Sequence, residues 1–106
     1  TIDYNGQQID GPVKEIIDLK NLRAKWESFG WEVQEFDGNN LDSVIAGLER
    51  AKTLAGKGKP VHNLMTTVMG QGVDYMMGSH KWHGVAPNDE ELKKALAQLE
   101  ETVGDY

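Results

Sequence analysis

The chain has 106 residues, no cysteine and a net charge of −6 from 17 acidic against 11 basic side chains. That length allows one modest core without metal or disulfide, and the missing thiols exclude disulfide and thiolate chemistry and fit a reducing compartment such as the cytoplasm. The acidic balance and the scattered lysines and arginines argue against nucleic acid as a partner, and no apolar run reaches the ~18–20 residues of a membrane span.

The spacing of apolar residues predicts alternating short strands and amphipathic helices. Thr1–Tyr4 reads as the end of a strand, with the turn-formers Asn5 and Gly6 behind it. Asp18–Phe29 reads as a helix with Leu19, Leu22, Trp26 and Phe29 on one stripe, stopped by Gly30. Trp31–Phe36 reads as a strand closed by Asp37-Gly38. Leu41–Leu54 follows as a helix capped by Asn40, its apolar face made of Leu41, Val44, Ile45, Leu48 and Ala51. Val61–Val68 is the third strand, and the glycines Gly70, Gly72 and Gly78 mark a long loop. The last helix has Asn88 and Glu91 in capping-box relation and the stripe Leu92, Ala95, Leu96 and Leu99. The alternation predicts the α/β class, a parallel sheet with flanking helices and right-handed crossovers. Three strands make a thin sheet, and the chain opens inside an apparent strand. A piece of a larger protein, or one chain of a split one, is therefore expected.

Parallel sheets of this kind bind ligands beyond the carboxyl ends of their strands. Asn5-Gly6-Gln7 and Thr67 to Gly84 occupy two such ends. Amide and turn carbonyl oxygens suit a hard cation such as Mg²⁺, although Asn-Gly is also a plain turn pair. His80 and His83 offer acid, base or phosphate-binding chemistry, or stand as simple loop histidines. With only His62 as a third imidazole, and that one inside a strand pattern, zinc lacks its usual ligand set. The methionines Met65, Met69, Met76 and Met77 read as packing, and the three tryptophans as core or subunit interface.

These segments, taken together and in order, resemble a known family. Asn5-Gly6-Gln7-Gln8-Ile9-Asp10-Gly11 and Lys25-Trp26-Glu27-Ser28-Phe29-Gly30-Trp31 look like the thiamine-diphosphate-binding domain of transketolases. Phe36-Asp37-Gly38-Asn39, the loop from Thr67 to Val73 and Trp82-His83-Gly84-Val85-Ala86-Pro87 resemble its later segments. The wording is nearest to the C-terminal part of the N-terminal subunit in split transketolases. Residues 1–106 are then expected to be the C-terminal segment of a thiamine-diphosphate-binding domain, an incomplete part of that fold. The resemblance implies transfer of a two-carbon ketol unit between sugar phosphates, with thiamine diphosphate and Mg²⁺ as cofactors and a place in the pentose phosphate pathway. It implies Asn5 as a metal and cofactor ligand, the main-chain carbonyl of Gln7 as a second, and His83 as the histidine at the diphosphate that assists catalysis. The remaining transketolase segments or subunits are the implied partners, in a homo- or hetero-oligomer such as a dimer.

The family's Gly-Asp-Gly motif, which supplies a metal carboxylate, is not in this sequence, nor is the acid that activates the cofactor's aminopyrimidine. Thr66 and the pair His62-Asn63 depart from the lysine and apolar pair of many relatives, so the third strand is expected to suit a buried sheet less well. Deoxyxylulose-phosphate synthases and dehydrogenase E1 components share the cofactor domain and are the neighbouring enzymatic alternative. A catalytically silent assembly module is the non-enzymatic one.

Overall fold

The computed structural model describes residues 1–100, so the last six residues of the expected 1–106 segment lie outside the described residues. Strands β1 (Ile2–Tyr4), β4 (Glu32–Asp37) and β5 (Val61–Thr66) form one parallel sheet in the order β1-β5-β4. A small antiparallel hairpin, β2 (Gln7–Gln8) and β3 (Gly11–Pro12), follows β1 and leads into the short helix α1 (Val13–Ile16). Helix α2 (Leu22–Ser28) precedes β4, α3 (Leu41–Leu54) joins β4 to β5, and α4 (Asp89–Leu96) follows the long loop after β5.

The chain passes over β5 to reach β4 and then returns to β5. Right-handed crossovers in opposite directions put α2 and α3 on opposite faces of the sheet. Side-chain alternation agrees with this. Phe36 and Gln34 meet α3 at Gly47, whereas Glu35 and His62 meet α2 at Arg23 and Trp26. Gly47 permits this packing, because a Cβ there would lie 2.5 Å from the Phe36 ring.

Of the departing residues on β5, His62 and Asn63 are buried and Thr66 is exposed. Asn63 and Gln34 are paired across the strands, Gln34 Nε2 donating to Asn63 Oδ1 at 2.6 Å and to the Gly47 carbonyl at 2.7 Å. Asn63 Nδ2 donates to Thr1 Oγ1 at 3.2 Å. A buried amide satisfied in this way avoids most of the desolvation cost. His62 is 3% exposed and lies flat on Trp26, ring centroids 4.3 Å apart, with Trp31 edge-on at 6.0 Å. Its Nε2 is buried without a hydrogen-bond partner.

Burial lowers the His62 pKa, so the folded state favours the neutral ring. With the folded value depressed, the stabilisation is complete above the unfolded imidazole value of ~6.5 and is lost as pH falls through the folded value. The urea midpoint is expected to drop between about pH 7.5 and pH 5, and the drop to shrink in His62→Phe. A profile that His62→Phe leaves unchanged contradicts this.

Several expected elements change extent. The helix predicted from Asp18 begins at Leu22, because Asn21 caps it and Lys20 adopts a left-handed φ of 55° held by the Asp18 carboxylate. The third strand stops at Thr66, two residues early, where Thr67 turns its N–H to the Tyr4 carbonyl. The helix Leu41–Leu54, its Asn40 cap and the Asn88/Glu91 capping box are present. Their apolar stripes are only partly covered, however. Leu41, Ile45 and Leu48 on α3, and Leu92, Leu96 and Leu99 along α4 and just beyond it, are all exposed, with Leu41 at 72%. Phe29 and Met77 are exposed as well. The described residues form a slab of 52 × 37 × 16 Å. Its radius of gyration is 16.9 Å, against ~13 Å for a compact chain of about this length. No described helix is long and apolar enough to cross a membrane.

Candidate functional site at the carboxyl ends of the strands

The three strands deliver their carboxyl ends to one edge. Asn5 leaves β1 and forms a side-chain turn, its Oδ1 accepting from the Gln7 N–H at 2.9 Å. The Gly6 carbonyl accepts from the Val13 N–H at 2.9 Å, which fastens the turn to the start of α1. Gly6 has φ 71°, a left-handed conformation in which a side chain is strained. An amide oxygen has two lone pairs, so the Asn5 oxygen keeps one for a ligand. The hairpin also buries the Gln7 Oε1 and Gln8 Nε2 atoms without a partner.

Beside it, the exit of β5 is gripped from both sides. Thr67 donates its N–H to the Tyr4 carbonyl at 3.3 Å and its hydroxyl to the Asp3 carboxylate. From β4, Gly38 donates to the Thr66 carbonyl at 2.8 Å, and Asn39 Oδ1 accepts from the Val68 N–H at 2.6 Å. A Cβ on Gly38 would meet the Thr67 methyl at 2.6 Å, so this approach requires glycine.

The loop from Thr67 to Gly84 is folded on itself. Gly78 donates to the Met69 carbonyl at 2.8 Å, and at Gly70 a Cβ would lie 2.7 Å from Met76. Tyr75 sends its hydroxyl to the Glu91 carbonyl at 2.7 Å and packs edge-on against Trp82, whose Nε1 donates to the Tyr75 carbonyl at 3.0 Å. Burial, then Glu91 and Asp74, push the Tyr75 phenol up. His80–Trp82 makes one 3₁₀ turn, and His83 follows it with an exposed side chain and its N–H on the His80 carbonyl at 2.9 Å.

The structure thus places Asn5 and Gln7 in one turn. His83 stands on the loop that leaves the neighbouring strand, and no hydrogen bond joins it to that turn among the described residues. His62 lies in the sheet interior, away from the loop histidines in role. Asp3 and Asn39 join this edge without a role expected from the sequence; the spacing Asp37-x-Asn39 signals an Asx turn, which forms, but the partner 29 residues on carries no local signal.

The oxygens on the Asn5 turn fit a hard cation in kind, being neutral carbonyl-type donors. Among the described residues no group of three or more His, Cys, Asp or Glu side chains could hold a metal ion. The turn therefore fits part of a shell and not a whole one.

The fold is an α/β module with a parallel sheet flanked by helices, and its candidate site lies at the carboxyl ends of β1, β4 and β5. Residues 1–102 match the family model described as "Transketolase, thiamine diphosphate binding domain". The chain belongs to that family. It is 41% identical over 98 residues to the 6-deoxy-6-sulfo-D-fructose transketolase subunit of a Clostridium species, covering 92% of this chain and 35% of that protein. It is 33% identical over 103 residues to an apulose-4-phosphate transketolase subunit of Phocaeicola vulgatus, covering 96% and 36%. The crystal structure of transketolase from Campylobacter jejuni superposes with a TM-score of 0.79 at 31% identity, over 91% of this chain and 15% of that one. The chain spans about a third of the length of the two subunit relatives.

Proposed function

We propose that residues 1–106 form the C-terminal segment of a thiamine-diphosphate-binding domain and contribute part of a Mg²⁺–diphosphate anchor to a transketolase. In this reading the Asn5 side-chain oxygen and the Gln7 main-chain carbonyl hold the metal, and His83 serves the diphosphate and substrate side. When bound, thiamine diphosphate supplies the electron sink for cleaving and forming the carbon–carbon bond of a ketol donor. The residues of this chain bind and orient the diphosphate end, and His83 holds or moves a proton at its imidazole. Sugar phosphates are the substrates. Further transketolase segments or a partner chain supply the missing carboxylate, in a homo- or hetero-oligomer.

The observation that carries this reading is the Asn5 turn. One amide oxygen is fixed by its own backbone at the end of a parallel strand, next to the loop bearing His83, in a chain of the transketolase family. The full-length protein with its partner chains should transfer a ketol unit from a ketose phosphate to an aldose phosphate, dependent on Mg²⁺ and thiamine diphosphate. Turnover of pyruvate instead favours the synthase or dehydrogenase alternative. Cofactor binding with no turnover of either favours the assembly module.

A further inference from the structure

We infer that Asn39 is a positioning residue for His83, acting through the neck of the loop after β5. The inference rests on the reading of His83 given above. Asn39 lies immediately beyond β4, and its own backbone is fixed: the Asn39 N–H donates to Asp37 Oδ1 at 2.9 Å, and Gly38 is bonded to Thr66. From that rigid base its amide oxygen takes the Val68 N–H at 2.6 Å. The next residue, Met69, gives its carbonyl to the Gly78 N–H at 2.8 Å. The segment between them is thereby closed off as a side loop. It is packed internally where Gly70 meets Met76, and it is tied to α4 by Tyr75 and to the residues just after α4 by the Asp74–Gln98 pair. Along the bonded path, His83 is then a short step from Val68, through Met69, Gly78 and the 3₁₀ turn. In sequence it is far from it.

The other grip on this exit has a different reach. Thr67 is bonded to Tyr4 and Asp3, which belong to the strand that ends in Asn5. The Asn5 turn itself is held by Gln7 and Val13, with no bond from Asn39. Loss of the Asn39 amide should therefore displace the His83 loop and leave the metal-binding turn in place. Backbone displacement of about 1 Å at a catalytic group costs up to ~100-fold in rate.

The test uses the full-length enzyme with its partner chains. Asn39→Ala should lower kcat by ~10–100-fold while the Mg²⁺ dissociation constant, measured by calorimetry with thiamine diphosphate, stays within about twofold. Asn39→Asp, which retains an acceptor oxygen, should restore most of the rate. In the double variant Asn39→Ala/His83→Ala, kcat should match that of His83→Ala alone within about twofold. A purely structural role for Asn39 would instead weaken Mg²⁺ binding together with turnover, or add its full cost to that of His83→Ala; either result overturns the inference. So does an Asn39→Ala enzyme with unchanged kcat, or one that fails to fold while Asn39→Asp folds and is as slow as His83→Ala. If His83→Ala is itself silent, the reading of His83 falls and this inference with it. An impaired His83→Ala beside a normal Asn39→Ala removes the inference alone.

Discussion

Asn5→Leu in the full-length protein should abolish Mg²⁺-dependent binding of thiamine diphosphate and, with it, ketol transfer. The substitution removes the side-chain oxygen proposed to hold the metal, and among the described residues no group of three or more His, Cys, Asp or Glu side chains could take its place. Loss of an outer partner to a metal ligand already costs ~10–100-fold in affinity, so loss of a ligand should cost at least about a hundredfold. The turn also loses the bond to the Gln7 N–H, worth about 1 kcal/mol. That loss is small enough for the fold to survive, and the thermal midpoint should show it. Calorimetric titration of thiamine diphosphate with saturating Mg²⁺ checks the main effect. Affinity within about threefold of the parent would remove Asn5 from the metal's surroundings.

Gly47→Val should produce the largest loss of stability without touching the binding edge. Gly47 is buried in α3, and three atoms of the Phe36 ring lie within 2.7 Å of where its Cβ would be. The helix cannot simply move away, because the Gly47 carbonyl accepts from the buried Gln34 amide, which is also bonded to Asn63. Overpacking costs ~1–3 kcal/mol, and breaking the Gln34 contact adds the penalty of a buried unsatisfied amide, so a total of about 3 kcal/mol is expected. Urea unfolding of the full-length protein followed by tryptophan fluorescence measures it. An unchanged midpoint would mean that β4 and α3 do not approach as closely as described.

The sequence makes the regular elements legible where local chemistry decides them. Asn40 and Asn88 cap their helices because a side-chain oxygen meets an N–H three residues on, a short-range event visible in the spelling. Gly30 ends α2 with φ 85°, and Trp31 donates back to the Trp26 carbonyl. The hairpin of Gln7–Gln8 with Gly11–Pro12 is harder to see. Each of its strands has two residues, too short for alternation to register, and only Asp10-Gly11 hints at it. The start of α2 is displaced because Lys20 takes a left-handed conformation that its residue type does not advertise.

Burial is the less legible part. Amphipathic spacing marks Leu41, Ile45 and Leu48 as a buried face, yet the side of α3 that meets the sheet is built on Gly47 against Phe36. Conversely the pair His62-Asn63, which reads as ill-suited to a buried sheet, is buried together with Gln34, the amides because they satisfy one another and the imidazole because it stacks on Trp26. Of the binding edge, the Asn5 turn is local and therefore readable. The grip of Asn39 on Val68 spans 29 residues and depends on the parallel register Asp37↔Thr66, which no local pattern encodes.

In the proposed function the oxygens at the end of β1 face the metal and the cofactor's diphosphate. A crystal structure of the full-length protein with its partner chains, Mg²⁺ and thiamine diphosphate tests it most directly. The Asn5 Oδ1 and the Gln7 main-chain carbonyl should both lie in the metal's shell at ~2.0–2.1 Å, with His83 on the diphosphate side. A metal and diphosphate bound elsewhere, with the Asn5 oxygen still serving only the Gln7 N–H, would contradict it.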